Sequence, residues 1–212
     1  MFERLATSLT ALSQRVDKIT VQEFVDCRAV SAREMLVDLM GMGRRPDEIS
    51  VESAMFRAVS VQYEQSLAAT ADVLGLRFDE IRREVRTTTL PCDVEVSCGT
   101  LPAGSVVGQT LSWAAHRDGV PVLVAEEYRT VTGDIPGWHL VPDDQFLIRV
   151  LVDSSPPLRV DLAIGNESTD LPGVAGGQVA VAMTAVRAIP YVLEAPPGIV
   201  IPTVFGAYRW PS

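Results

Sequence analysis

Two consecutive glutamates, Glu126 and Glu127, sit in an alternating run with Tyr128 and Arg129, and they are the side chains best suited to proton transfer in this sequence. The run follows Arg117-Asp118-Gly119-Val120. Asp-Gly is the strongest short hairpin signal, because both loop positions tolerate positive φ. A two-residue loop then pairs Arg117 with Val120, Trp113 with Val124, Leu111 with Glu126 and Gln109 with Tyr128. Alternation puts the last six on one face and Thr110, Ser112, His116, Glu127 and Arg129 on the other. A carboxylate beside Leu111, Trp113 and Tyr128 has the surroundings for a raised pKa and for acid or base work. The competing reading is a carboxylate on a solvated or subunit-facing sheet surface, with Glu127, Arg129 and His116 forming a charged outer face of little energetic value. Arg28, at the end of the first predicted strand, is the cation placed to meet a ligand carboxylate or carbonyl, or to form an ordinary salt bridge.

Several chemistries are excluded or left without support. The 212 residues carry a net charge of −9, the opposite of the basic surface that polynucleotides and anionic membranes require. Lys18 is the only lysine among 18 basic residues, so a Schiff-base lysine is excluded elsewhere. His116 and His139 lack the spacing of a zinc site, and each is expected on the surface, His116 beside the turn and His139 in a loop. Cys27, Cys92 and Cys98 fit neither a disulfide framework nor a metal knuckle, and point to a reducing cytoplasm. Neither GxSxG, GxGxxG nor GxxxxGK[ST] occurs, so no bound cofactor is expected on this chain. The glycines between 173 and 177 read as a loop rather than a phosphate cradle. The amino-terminal residues lack a secretory pattern, and no window of 18 uninterrupted apolar residues predicts a membrane span.

The elements that must position these residues follow from periodicity. Helical spacing of Leu5, Leu9 and Leu12 predicts a helix over 2–14. Ile19, Val21 and Val25 predict a strand over 18–28. Ser31 and Glu34 have the spacing of a capping box, which predicts a helix over 32–40 ended by Gly41 and Gly43. The longest helix is expected over 51–74, stopped by Gly75 and followed by a short helix over 78–86. Alternation then predicts strands over 92–98, with its cysteines facing the core, 105–117, 120–131, 145–153 and 158–164. A final helix spans 174–193 and is kinked at Pro190, and 196–212 is a loop. The sum is an α+β fold: a mixed, largely antiparallel sheet of five to six strands packed against four to five helices.

The tail carries a resemblance. Ala185-Val186-Arg187-Ala188-Ile189-Pro190 and Ala195-Pro196-Pro197-Gly198-Ile199-Val200 resemble the end of the 2,4-diaminopentanoate dehydrogenase and native amine dehydrogenase family, relatives of dihydrodipicolinate reductase. Arg15-Val16-Asp17, Asp26-Cys27-Arg28, Glu34-Met35-Leu36 and Val107-Gly108-Gln109 agree in order. The resemblance covers only the second half of the family's architecture, the substrate and oligomerisation domain, without the nucleotide-binding Rossmann domain that precedes it. It implies one such domain over 1–212, a pocket for a small organic ligand walled by Arg28, Met35, Leu39, Gln109 and Trp113, with Tyr128 as a further wall, and a homodimer formed through the sheet. The expected function is a cofactor-independent enzyme promoting cyclisation, isomerisation or dehydration, with Glu126 or Glu127 as acid or base. The alternatives are a subunit of a split NAD(P)H-dependent amine dehydrogenase, partnered by a separate Rossmann-domain chain, and a non-catalytic binding remnant.

Overall fold

The computed structural model describes residues 2–133, 135, 138, 146–165, 174–201, 204 and 206–211. Helix α1 (Phe2–Thr10) leads to β1 (Arg15–Asp26), a π-helical turn (Glu34–Leu39), a 3-10 turn (Pro46–Glu48) and helix α2 (Ala54–Leu74). Strands β2 (Glu80–Thr89), β3 (Val94–Val96), β4 (Gly99–Leu101), β5 (Val106–Arg117), β6 (Val120–Thr130), β7 (Phe146–Ser155) and β8 (Leu158–Ile164) follow, then helix α3 (Gly176–Glu194). Six strands form one sheet in the order β2-β5-β6-β1-β7-β8, while β3 and β4 make a separate hairpin. Only β1 and β6 run parallel in the large sheet; its other pairs are antiparallel. The mixed α+β class expected from periodicity is the observed one.

Helix α2 covers one face of the sheet. Ser53 caps its start by accepting from the Phe56 N–H, and Gly75 ends it at φ 65, where a side chain would be strained. Its buried stripe centres on Trp113 of β5, which lies between Phe56 and Tyr63 with ring centroids at 5.2 and 4.2 Å. The indole Nε1–H donates to Ser60 Oγ at 2.8 Å, so the largest core side chain is packed and satisfied at once. The tail is tied to the same layer: the Tyr208 N–H donates to Thr10 Oγ1 at 3.0 Å and the Trp210 N–H to the Leu74 carbonyl at 3.0 Å.

Four expectations are corrected. Residues 80–89 are β2 rather than a helix. Ile81, Val85 and Thr87 alternate with Arg82, Glu84 and Arg86, and pairing with β5 supplies the backbone partners that an isolated short helix lacks. The turn at 34–39 is π-helical, and Arg33 occupies its cap position with no side-chain bond, so the Ser31–Glu34 capping box does not form. Cys92 is exposed and Cys98 half-buried beside the β3–β4 hairpin; Cys27 is the buried cysteine. His116 is buried, its Nδ1 2.8 Å from the Ala114 carbonyl. The loop assigned to His139 lies outside the described residues.

The hairpin register is the fifth and most consequential correction. Asp118 and Gly119 form the loop at φ 53 and 76, and Arg117 pairs with Val120 as expected. His116 then pairs with Pro121 but Ala115 with Leu123, so Val122 is the extra residue of a bulge. Pro121 has no N–H to give the ladder, which breaks there. Every later residue of β6 is displaced by one, and Trp113 faces Ala125, not Val124. Truncating Trp113→Ala is expected to cost about 3–5 kcal/mol, read as a lower urea midpoint with an unchanged m-value.

Candidate functional site

The bulge sorts the two glutamates onto opposite faces. On the face under α2, Glu127 joins Gln109, Leu111 and Trp113, and its carboxylate accepts from Arg129 Nε and Nη2 at 2.8 and 2.9 Å. Both side chains are under 10% exposed. Glu23 of β1 stands beside Glu127 in the parallel pair, and its Oε2 accepts from Tyr63 Oη at 2.7 Å. Burial, with the nearby Glu127 charge, raises the Glu23 carboxyl above its ordinary range. Burial likewise pushes the Cys27 thiol up to about 12 and the Tyr63 phenol well above its usual value. Two carboxyl groups and one guanidinium share this dry layer, so a proton on Glu23 leaves it electrically neutral. Glu127 is thereby committed to a bidentate ion pair rather than poised for proton transfer.

On the open face, Glu126 Oε2 accepts from Gln22 Nε2 at 2.7 Å and from Tyr128 Oη at 2.9 Å. Tyr128 stacks on Phe24 at 4.7 Å and meets Trp138 edge-on at 5.4 Å. The Arg149 guanidinium lies 5.4 Å from the Phe24 ring centroid and donates to Asp161. Hydrogen bonds from Arg149 and Arg159 hold the Asp161 carboxyl well below the usual range. Burial and the Glu126 charge raise the Tyr128 phenol. Glu126 is therefore a half-buried carboxylate among aromatic rings, with Tyr128 beside it as expected but Trp113 and Gln109 on the far side of the sheet.

A third group gathers where the parallel strands β1 and β6 end. Arg28 donates from Nε to both Asp26 oxygens at 3.0 and 2.8 Å. Met35 and Leu39 stand exposed on the π-helical turn, 44% and 56%, while Leu36 is its buried anchor. Gln109 Nε2 donates to the Met40 carbonyl at 2.9 Å and so pins the end of that turn. Its Oε1 is buried with no hydrogen-bond partner, the kind of atom that calls for a ligand or water. Gly41, at φ 80, lets the chain pass close to Gln109 and Ile49. Periodicity did not single out Gln22, Glu23, Phe24, Tyr63 or Arg149. Pro121 inside a strand was the signal that could have placed Glu126 and Glu127 on their observed faces, since a bulge there resets which residues share a face.

β1 runs into the π-helical turn through Arg28-Ala29-Val30-Ser31, without glycine. The glycines at the start of α3 are explained by packing, because a Cβ on Gly177 would stand 3.2 Å from the Phe146 ring. Among the described residues, no group of three or more His, Cys, Asp and Glu side chains could hold a metal ion.

Residues 1–204 match the family described as the 2,4-diaminopentanoate dehydrogenase C-terminal domain, and the chain belongs to that family. It is also similar to the structure of an amine dehydrogenase from Mycobacterium smegmatis, with 20% identity and a TM-score of 0.62 over 94% of this chain. The chain spans 55% of that protein's length. No curated protein matches the sequence.

Two measurements check the sorting of charges. Glu127→Ala strands Arg129 in the core and is expected to cost about 3–5 kcal/mol, against under about 1 kcal/mol for Glu126→Gln, by urea unfolding. Because the folded Glu23 pKa lies above its unfolded value, its contribution to stability is complete below about pH 4.5 and is lost as pH rises through the folded value. Glu23→Gln is therefore expected to gain stability relative to wild type as pH rises above about 4.5, with no relative gain at low pH.

Proposed function

We propose that this chain is the substrate-side domain of an NAD(P)H-dependent amine dehydrogenase. It holds a small carbonyl or amine at the carboxyl ends of β1 and β6, while a nucleotide-binding domain supplies the hydride. The observation that carries this reading is the third group of the site. Exposed Met35 and Leu39 stand on the turn that Gln109 pins, next along the chain from Arg28, at the strand ends where open sheets containing parallel pairs place their ligands. An apolar wall with one cation and one unmet acceptor suits a small ligand that is mostly hydrocarbon with a polar centre. Family membership and the 55% span support a division of labour between two domains. The resemblance also supports pairing of two copies through the sheet, and the cysteine pattern supports a cytoplasmic setting.

Glu126 favours a second reading, the cofactor-independent enzyme, because a carboxylate held by Gln22 and Tyr128 among Phe24 and Trp138 has the surroundings of a general acid or base. One assay separates the two. The chain is mixed with a nucleotide-binding domain, NADPH, ammonium chloride and a panel of small aliphatic ketones, and NADPH oxidation is followed. The first reading expects turnover that needs both components, a KM for ketone raised about tenfold by Leu39→Ala, and no effect of Glu126→Gln. Consumption of ketone by the chain alone without NADPH, followed by proton NMR and abolished by Glu126→Gln, would support the second reading and sink the first.

A further inference from the structure

One buried acceptor is left over when the hydrogen bonds of the layer under α2 are followed through. Trp113 Nε1–H donates to Ser60, Ser60 Oγ–H to the Phe56 carbonyl and Tyr63 Oη–H to Glu23. Arg129 donates from Nε and Nη2 to Glu127 and from Nη1 to the Met55 sulfur at 3.7 Å. Gln109 stands directly opposite Arg129 in the β5–β6 ladder and is 0% exposed. Its Nε2 is committed to the Met40 carbonyl, which fixes the orientation of the amide, so the unmet atom is the oxygen.

An occupant of this oxygen must donate, because Oε1 can only accept. It must be neutral, since Glu127 already pairs with Arg129 and burial raises Glu23 toward its uncharged form, so a further ion would be desolvated without a counter-charge. Tyr63 of α2 and Cys27, just beyond β1, are the other titratable groups of the layer. The occupant must also be small. No part of Gln109 reaches the surface, and close-packed interiors admit little more than about one non-hydrogen atom. Water and ammonia meet all of these conditions. A buried water makes about three hydrogen bonds, whereas among the described residues Gln109 Oε1 is the one buried side-chain acceptor without a partner. Ammonia gives up less hydration on entering an apolar interior, and it is the nitrogen source for amination of a carbonyl held on the turn that Gln109 pins.

We infer that Gln109 Oε1 is a seat for one molecule of neutral ammonia, at the foot of the turn that carries Met35 and Leu39. The inference rests on the two-domain reading proposed above and adds where the second substrate of amination is held. Ammonia bound through one N–H keeps its lone pair free, the form in which nitrogen adds to a carbonyl carbon. Gln109 binds and orients it and takes no proton.

The test titrates the full chain, isotopically labelled at the glutamine side-chain nitrogens, with ammonium chloride, and in separate arms with potassium chloride and methylammonium chloride. Nuclear magnetic resonance follows the side-chain amide of Gln109 beside that of Gln22, which is bonded to Glu126 on the open face. The Gln109 resonance is expected to shift saturably with ammonium chloride and not with potassium chloride, while Gln22 stays in place. The apparent affinity should rise about tenfold per unit of pH between about pH 6 and 8, because the neutral form binds. Glu23→Gln, which removes a titrating neighbour, should keep that slope. Methylammonium chloride should act at least about tenfold more weakly, for want of room. A Gln109 resonance unmoved by ammonium chloride leaves the oxygen to water and overturns the inference. An affinity independent of pH, the mark of the ion, overturns it too, as does an equal response to methylammonium, the mark of a seat for primary amines. An unmoved resonance beside NADPH-dependent turnover in the two-component assay sinks the seat and leaves the two-domain reading standing. A saturable shift without such turnover keeps the seat and sinks that reading.

Discussion

Much of this structure depends on one missing N–H. Pro121 cannot complete the β5–β6 ladder, and the bulge at Val122 moves the remainder of β6 by one residue. Because strand side chains alternate, a one-residue shift is enough to exchange the two faces. Ala125, Glu127 and Arg129 come to lie under α2, while Glu126 and Tyr128 face away from it. The parallel pairing of β1 on β6 carries the consequence onward, setting Glu23 beside Glu127 and Phe24 beside Tyr128.

The two polar clusters created in this way differ in kind. Under α2, Glu127 and Arg129 satisfy one another in a dry layer, and Glu23 accommodates the surplus carboxyl by holding its proton more tightly. That arrangement specifies packing and register, and commits Glu127 to structure. On the open face, Gln22, Glu126 and Tyr128 are half-buried, with Tyr128 stacked on the buried Phe24. The site we assign to substrate lies at the strand ends between these clusters. There Gln109 crosses from the sheet to the π-helical turn and keeps one buried oxygen unmet.

Most elements were legible because their patterns were strong. Helix α2 lacks glycine and proline between Ser53 and Gly75, and β7 and β8 alternate so regularly that Phe146, Ile148, Val150 and Val152 pair with Ile164, Leu162, Val160 and Leu158. β2 was not legible, since its arginines and glutamates suit a solvated helix as well as an edge strand, and only pairing with β5 decides. The capping signal at Ser31 and Glu34 lost to tertiary packing of Leu36 and the Gln109 bond to Met40. The choice of Arg28, Met35, Leu39 and Gln109 as pocket walls came from family resemblance, and the structure groups them at one end of the sheet. Trp113 came from the same resemblance and shares a face with Gln109, whereas Glu126 was set beside them by a register that assumed an unbroken ladder, and the bulge moves it to the other face and brings Glu127 in its place.

The most direct measurement is therefore of the register. Nuclear Overhauser contacts between β5 and β6 in the isotopically labelled protein report which residues stand opposite one another. The structure predicts cross-strand contacts of Trp113 with Ala125, Ser112 with Glu126 and Leu111 with Glu127. Contacts of Trp113 with Val124 and of Leu111 with Glu126 would contradict it, and would return Glu126 to the face covered by α2.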